Sequence, residues 1–409
     1  MPNLSEIYPT CLLFIALLGT ATIIARGRPS DRVIVIGRDL QVDGLRALLA
    51  FGVMAYHFLG IHHRIFGDGS TLDISSVTVK LMRNWTVQIF FAITAYLFGQ
   101  RMTDITAQTS RSSLKFLSGR FFRLAPLTIV FCCIFLLAEY QAYFDESNIK
   151  TQLRNWLVLI NAALSSIFFP AGGPITTNAE STGWDIAGTP QWTLHFEWIF
   201  YLCITAIPIL SFKKKNIVVP VIVTLLLLTA VRDSNTFFVQ WENMTWAFVP
   251  GLIVGFLKAK WVKFFKLSHS VIGAIAIGFV IYSTYADVLI LKLLANTLFL
   301  VVVLSDNQLT RWLKSTLLRS LGETTYSVYL LHGLVQYATL KWIVTIPIAR
   351  TMPEWLWWMT CALQVVVIVI IARLSFEYVE KPGIEAGKRF FTWLINLIER
   401  RAKWLLDWI

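Results

Sequence analysis

Eleven apolar runs, most of them long enough to cross a bilayer, constrain this chain more than any other feature. They fall at about 8–25, 41–60, 85–101, 124–143, 192–211, 216–231, 243–257, 270–285, 287–304, 324–346 and 356–378. Hydrocarbon offers no water to backbone N–H and C=O groups, so only helices and closed barrels span it. Runs of this length read as helices. The fold predicted is all-α: a polytopic membrane helix bundle of about eleven transmembrane helices.

The loops test that count. Loop 26–40 holds four Arg against two Asp, loop 101–123 five basic residues against one acid, and loop 258–269 four Lys. Lys213, Lys214 and Lys215 fill another, and loop 305–321 carries three basic residues against one acid. Between them, 144–191 has two basic residues against four acids and 232–242 one against two. Every second loop is basic. Basic loops stay on the cytoplasmic side, which predicts an N-terminus outside, a C-terminus inside and an odd number of spans. The net charge of +12 therefore belongs to membrane topology and not to a nucleic-acid partner. A content of 56% hydrophobic and 15% charged residues, with mean hydropathy +0.63, agrees, since soluble domains carry about 25% charged residues.

Three stretches lie beside this plan. Leu153–Phe169 is apolar but broken by Arg154, Asn155 and Asn161, and a full crossing there would reverse every later loop. It reads as a re-entrant or interfacial helix on the outer side. The first run lacks a basic region ahead of it and is followed by Arg26, Arg28 and Arg32, so it reads as a retained anchor. After Pro382 the aromatic and basic residues alternate as in a helix lying on anionic membrane lipids. The boundaries expected are 1–39 for the anchor and its loop, 40–382 for the membrane domain and 383–409 for the tail.

The run Gln41–Gly60, QVDGLRALLAFGVMAYHFLG, carries Asp43, Arg46 and His57. Ionisable groups at such depth are costly and point first to function. Arg46 and His57 are eleven residues apart, about three turns plus ~20°, so they share a helix face with roughly 16 Å between them. Asp43, one turn before Arg46, falls near the same stripe. The competing reading is a core Arg–Asp pair and a hydrogen-bonded core His. The run opening with Gln191-Trp192-Thr193 brings Glu197 about two turns into the membrane from the outer side, at the depth of His57. A carboxylate at that level suits a His doing general-base work on a hydroxyl; the alternative is a pair that only holds helices together. At the inner face Arg120 and Arg123 join Arg46 in a cationic cluster suited to phosphates, or are ordinary positive-inside charge. Tyr326 and His332 sit on an otherwise apolar helix, where a lone His reads as a core residue. His62 and His63 read as solvated in an outer loop. No spacing matches a metal site, and there is no GxSxG, Walker loop or GxGxxG.

Six pieces in order carry a resemblance: DGLRALLAFGVMAYHF at 43–58, VQIFFAITAYLFG at 87–99, RFFRLAP at 120–126, QWTLHFEWIFYL at 191–202, LGETTYSVYLLHG at 321–333 and FEYVEKP at 376–382. Together they resemble the acyltransferase 3 family of integral-membrane acyltransferases, with Thr193 where the family has Ser. The resemblance covers about 40–382. It implies a ten-helix core, so the run at 8–25 is an extra N-terminal span. It further implies that Arg46 and His57 are essential, that the donor is cytosolic acyl-CoA and that the acceptor is a surface or exported glycan. Members fused to a periplasmic esterase-like domain carry a long C-terminal extension; transfer by the membrane domain alone is the expectation here.

The reading that results is an O-acyltransferase of the bacterial inner membrane. It moves an acyl group, acetyl above all, from acyl-CoA to a hydroxyl of a glycan or lipid-linked saccharide, with no metal. Arg46, Arg120 and Arg123 would hold the CoA phosphates, His57 would act as base or transient acyl carrier, and Glu197 would orient it. Asp43, Trp192, Tyr326 and His332 would support them. Two rivals are a secondary transporter with an Arg/His/Glu proton relay, against which stands the lack of a repeat, and a scaffold whose charges only bind helices.

Overall fold

The structure, a computed structural model, describes residues 4–26, 39–67, 76–102, 110–144, 193–194, 196–202, 244–261 and 269–406. Helices and short turns of 3-10 and π helix make up the described residues, with no strand among them. The spans expected at 216–231 and over most of 192–211, the helix at 153–169, and Trp192 lie outside them. Three helical stretches are long and apolar enough to cross a membrane: Leu40–Phe66, Lys115–Phe135 and Glu354–Arg400. Shorter apolar helices cover Tyr8–Ile23, Thr245–Leu257, Ser270–Ala286 and Leu289–Leu304. Ile275 and Leu363 are more than half exposed on two of these helices, as expected of faces turned to lipid rather than water.

The chain divides into two compact units. The first contains α1 (Leu4–Arg26), α2 (Leu40–Phe66), α3 (Val77–Lys80), a π turn (Leu81–Trp85) and α4 (Thr86–Met102). It continues with α6 (Phe248–Trp261), α7 (Ser270–Ala286), α8 (Leu289–Leu304), α9 (Thr316–Glu323), α10 (Thr325–Trp342), α11 (Ile346–Thr351) and α12 (Glu354–Ser375) as far as Arg373. The second unit holds α5 (Ser110–Phe144), the helical residues 196–202 and α13 (Lys381–Leu406).

In the first unit α2 is the axis. Its N-terminal end is tied to the C-terminal half of α4, where Tyr96 Oη donates to Asp39 Oδ2 at 2.6 Å and Gln100 donates to Tyr96 Oη at 2.8 Å. A turn further on, α9 crosses against Asp43. A Cβ at Gly322 would stand 2.1 Å from the Asp43 carbonyl oxygen, so only glycine lets these backbones approach. At the opposite end of α2, His62 meets Glu354 and Trp358 of α12. Phe91 and Phe248 stack at 4.7 Å where α4 lies along α6. Lys80 and Lys292 both donate to Asp287, the left-handed residue (φ 57°) that closes α7. Aspartate tolerates that conformation better than most residues.

The π turn interrupts the α3–α4 helix: the N–H of Thr86 reaches back five residues to the carbonyl of Leu81. Trp85 Nε1 then donates to Asn296 Oδ1 at 3.0 Å, and Asn296 Nδ2 to Gln88 Oε1 at 3.3 Å. The extra residue per turn aims Arg83 at α2, with its guanidinium carbon 5.9 Å from the Tyr56 ring centroid.

In the second unit Pro126 sits inside α5. Proline has no N–H to give to the residue four back, so the carbonyl of Phe122 is released from the helix ladder. Gly383 of α13 lies against it, and a Cβ there would be 2.5 Å from that oxygen. Phe122 and Phe390 continue the contact at 5.2 Å between ring centroids.

Three expectations are corrected. The second span does not stop near residue 60: α2 runs to Phe66 because nothing breaks it before Gly67. His62 is therefore not a solvated loop residue; its ring stacks on Phe66 at 4.8 Å and on Trp358 at 4.7 Å. The helix expected from 124 begins at Ser110, so Arg120 and Arg123 stand one turn apart on a helix and not in a loop.

Candidate active site

α2 presents His57 seventeen residues beyond its first residue, Leu40, where the helix neighbours α10. The His57 ring is half-buried, and its centroid lies 5.1 Å from that of His332, with the planes 42° apart. His332 is 1% exposed and follows Leu330 and Leu331 of α10, which are also buried. Its Nδ1 stands 3.1 Å from the carbonyl oxygen of Val328. Its Nε2 is buried with no hydrogen-bond partner. Gln336, one turn on, likewise buries an Nε2 without a partner. Tyr329 closes the near side with its ring 6.1 Å from His332, and Phe90 of α4 packs edge-on to Tyr329 at 6.2 Å. Two imidazoles from two helices thus meet among apolar side chains, with a hydrogen-bonding nitrogen left open.

Further along the same unit, Arg46 is half-buried on α2 and Asp43 is buried at the contact with Gly322. The eleven residues to His57 set Arg46 about 16 Å away along the axis. Tyr326 is buried in the first turn of α10.

The second unit holds the remaining residues. Glu197 accepts a hydrogen bond from Tyr201 Oη at 2.6 Å. The guanidinium carbon of Arg120 lies 5.1 Å from the Phe116 ring centroid and 5.2 Å from that of Tyr201. Stacking holds the plane of the group while its N–H edge stays available to an anion. Arg123 Nε is 4.0 Å from Glu380 Oε2, and the Glu380 side chain is fully buried. Arg120, Tyr201 and Glu197 thus form one connected group, and Arg123 with Glu380 another.

Tyr201, Glu380 and Arg83 do not stand out in the sequence. Tyr201 was within reach, four residues from Glu197 on one helix. Glu380 lies inside the FEYVEKP stretch, and Arg83 just ahead of the third span, where it reads as a loop cation. No group of three or more metal-ligating side chains gathers among the described residues.

The family model described as an acyltransferase domain, that of the acyltransferase 3 family, matches residues 39–374. The chain belongs to this family. It is 23% identical over 414 residues to the peptidoglycan O-acetyltransferase OatA of Listeria monocytogenes serovar 1/2a (strain ATCC BAA-679 / EGD-e). That alignment takes in 89% of this chain and 60% of the relative, so the chain spans well under two thirds of the relative's length. No solved structure matches. The matched domain is thus an acyltransferase domain by family, and it includes helices long and apolar enough to cross a membrane.

Proposed function

We propose that this acyltransferase is a membrane-bound O-acetyltransferase that moves the acetyl group of cytosolic acetyl-CoA to a hydroxyl of a surface or exported glycan. The observation that carries the proposal is the meeting of His57 and His332 inside the family domain, with one imidazole nitrogen open. The relative's activity on peptidoglycan supports a glycan acceptor and an acetyl donor.

In this mechanism the acceptor oxygen attacks the thioester carbonyl carbon while His57 takes the hydroxyl proton; the C–O ester bond forms, the C–S bond breaks, and the thiolate leaves and recovers the proton from His57. With His57 as transient acyl carrier, acetyl passes first from sulfur to a ring nitrogen with loss of the thiolate, and the acceptor oxygen then attacks the acyl-imidazole, breaking its C–N bond and passing its proton to the thiolate. General-base assistance of this kind is worth about 10²–10⁴ in rate. Arg46 in the first unit, and the stacked Arg120 and Arg123 in the second, are each proposed as residues that bind CoA phosphates. The ~16 Å of helix rise from Arg46 to His57 is comparable to an extended pantetheine arm. Eleven spans in the bacterial inner membrane, N-terminus outside, would let the acceptor approach from the outer side; a lipid-linked saccharide would arrive there already held at the bilayer.

The deciding experiment uses purified protein in nanodiscs with acetyl-labelled acetyl-CoA. Label should pass to an added glycan and free CoA should appear. Mass analysis of surface glycans from cells with and without the protein should show acetyl increments only in its presence. Uptake of solute with no acetyl transfer would replace this reading by a transporter.

A further inference from the structure

We infer that His332 is the positioning residue of His57: its bare Nε2 accepts the N–H of the His57 ring and so fixes which nitrogen of His57 faces the acceptor hydroxyl. The inference rests on the O-acyl-transfer reading and assigns within it the part that Glu197 holds in the sequence reading.

Four observations combine. The Val328 carbonyl can only accept, so His332 Nδ1, 3.1 Å away, carries a hydrogen. In a neutral imidazole that leaves Nε2 as a bare acceptor, and this atom is buried without a partner. Buried acceptors are nearly always satisfied, so a donor belongs there. The neighbouring ring is His57. A hydrogen bond of about 2.9 Å plus two imidazole radii spans about 5 Å, and the centroids are 5.1 Å apart. The two rings therefore stand at the separation such a bond requires. Finally, His57 is half-buried while His332 is 1% exposed, which orders the relay. The acceptor hydroxyl meets His57, His57 donates to His332, and His332 donates to the Val328 carbonyl.

The order has a chemical result. When the acceptor oxygen forms its bond to the acyl carbon, its proton goes to the bare nitrogen of His57. The ring becomes an imidazolium whose other N–H is already held by His332. The same proton later goes to the departing thiolate, and both histidines return to their starting tautomers. A base held in one tautomer by a backed-up neighbour is the arrangement that keeps a His in register.

The test compares His332→Gln, His332→Asn and His332→Leu in nanodiscs, reading acetyl transfer and acetyl-CoA affinity together. A Gln side chain can carry its amide oxygen to the place of Nε2, whereas Asn reaches only the place of Nδ1. His332→Gln should stay within about tenfold of the native kcat, while Asn and Leu should lose about 100-fold or more, each with donor KM unchanged. Asn matching Gln, or Leu matching the native protein, overturns the inference. Should the Leu variant fail to fold, the Gln–Asn comparison still decides. A further measurement uses the native protein labelled with 15N-histidine: the resonance that disappears in His332→Gln should report the Nδ1–H tautomer, and an Nε2–H tautomer overturns the inference. If the native protein transfers no acetyl group, the function reading falls, and the tautomer result remains a separate outcome.

Discussion

Tyr201 gives its hydroxyl hydrogen to Glu197 across a single helical turn, at 2.6 Å. The same phenol ring carries the Arg120 guanidinium on its face. Tyr201→Phe should keep that face and lose the hydrogen bond, at a cost of about 1 kcal/mol in thermal stability. Glu197→Gln should lower turnover more than donor affinity if Glu197 acts on the chemistry. Equal losses in both would assign Glu197 to donor binding.

The Arg123–Glu380 pair alters the expected effect of removing Arg123. A surface guanidinium contributes little to stability, but this one faces a fully buried carboxylate. Arg123→Ala should therefore destabilise the protein, by an amount on the order of 3 kcal/mol, read as a lower Tm in detergent. The double variant Arg123→Leu with Glu380→Leu should recover most of the loss. An unchanged Tm in Arg123→Ala would show the pair to be a surface contact.

Arg46 and Arg120 are the cleaner probes of the donor site. Arg46→Lys and Arg120→Lys keep the charge and lose the planar fork. Each should weaken acetyl-CoA binding about tenfold, corresponding to ~1.4 kcal/mol, with kcat at saturation nearly unchanged. Normal affinity in both, measured by titration calorimetry, sinks the phosphate role.

His57→Ala should stop acetyl transfer, with a loss of about 10²–10⁴ or more, and leave donor binding largely intact because binding is assigned to the arginines, of which Arg46 lies about 16 Å away along α2. Single-turnover assays on the purified variant check it. Transfer at the native rate would falsify the mechanism while leaving the family assignment in place.

Topology can be read with reporters. Fusions after Lys215 or Lys260 should report from the cytoplasm, and an insertion near Gly172 from the outside. A cytoplasmic signal at Gly172 removes both the eleven-span count and the matched depth of His57 and Glu197.

How far the sequence reaches is clearest at His57 and His332. The stripe that joins Asp43, Arg46 and His57 follows from helical geometry alone, and α2 carries all three. That His57 should find His332 does not follow. The two belong to helices far apart in the chain, and periodicity reports a helix's own faces, not which face of which helix it meets. The Arg123–Glu380 pair was hidden for the same reason. The error at His62 was different in kind: two histidines and an arginine after Gly60 read as the end of a span, although an imidazole can stack on Phe66 and Trp358 as an aromatic ring does. The acyltransferase family was legible in six short stretches, because each keeps its order and spacing even where single residues, such as Thr193, depart.

The π turn at Leu81–Trp85 makes chain length itself a variable of the site. One residue more than an α-turn holds rotates the helix before it by about 100° relative to the helix after it. Arg83 and Lys80 owe their aim at Tyr56 and Asp287 to that offset, whereas Gln88 and Tyr96 beyond it do not. Deleting a single residue there would leave α4 intact as a span and turn both cations elsewhere. Relatives with the same polar residues but one position fewer at this point would share the helices and differ in where these two cations reach, a divergence invisible to any comparison that scores residues and ignores gaps.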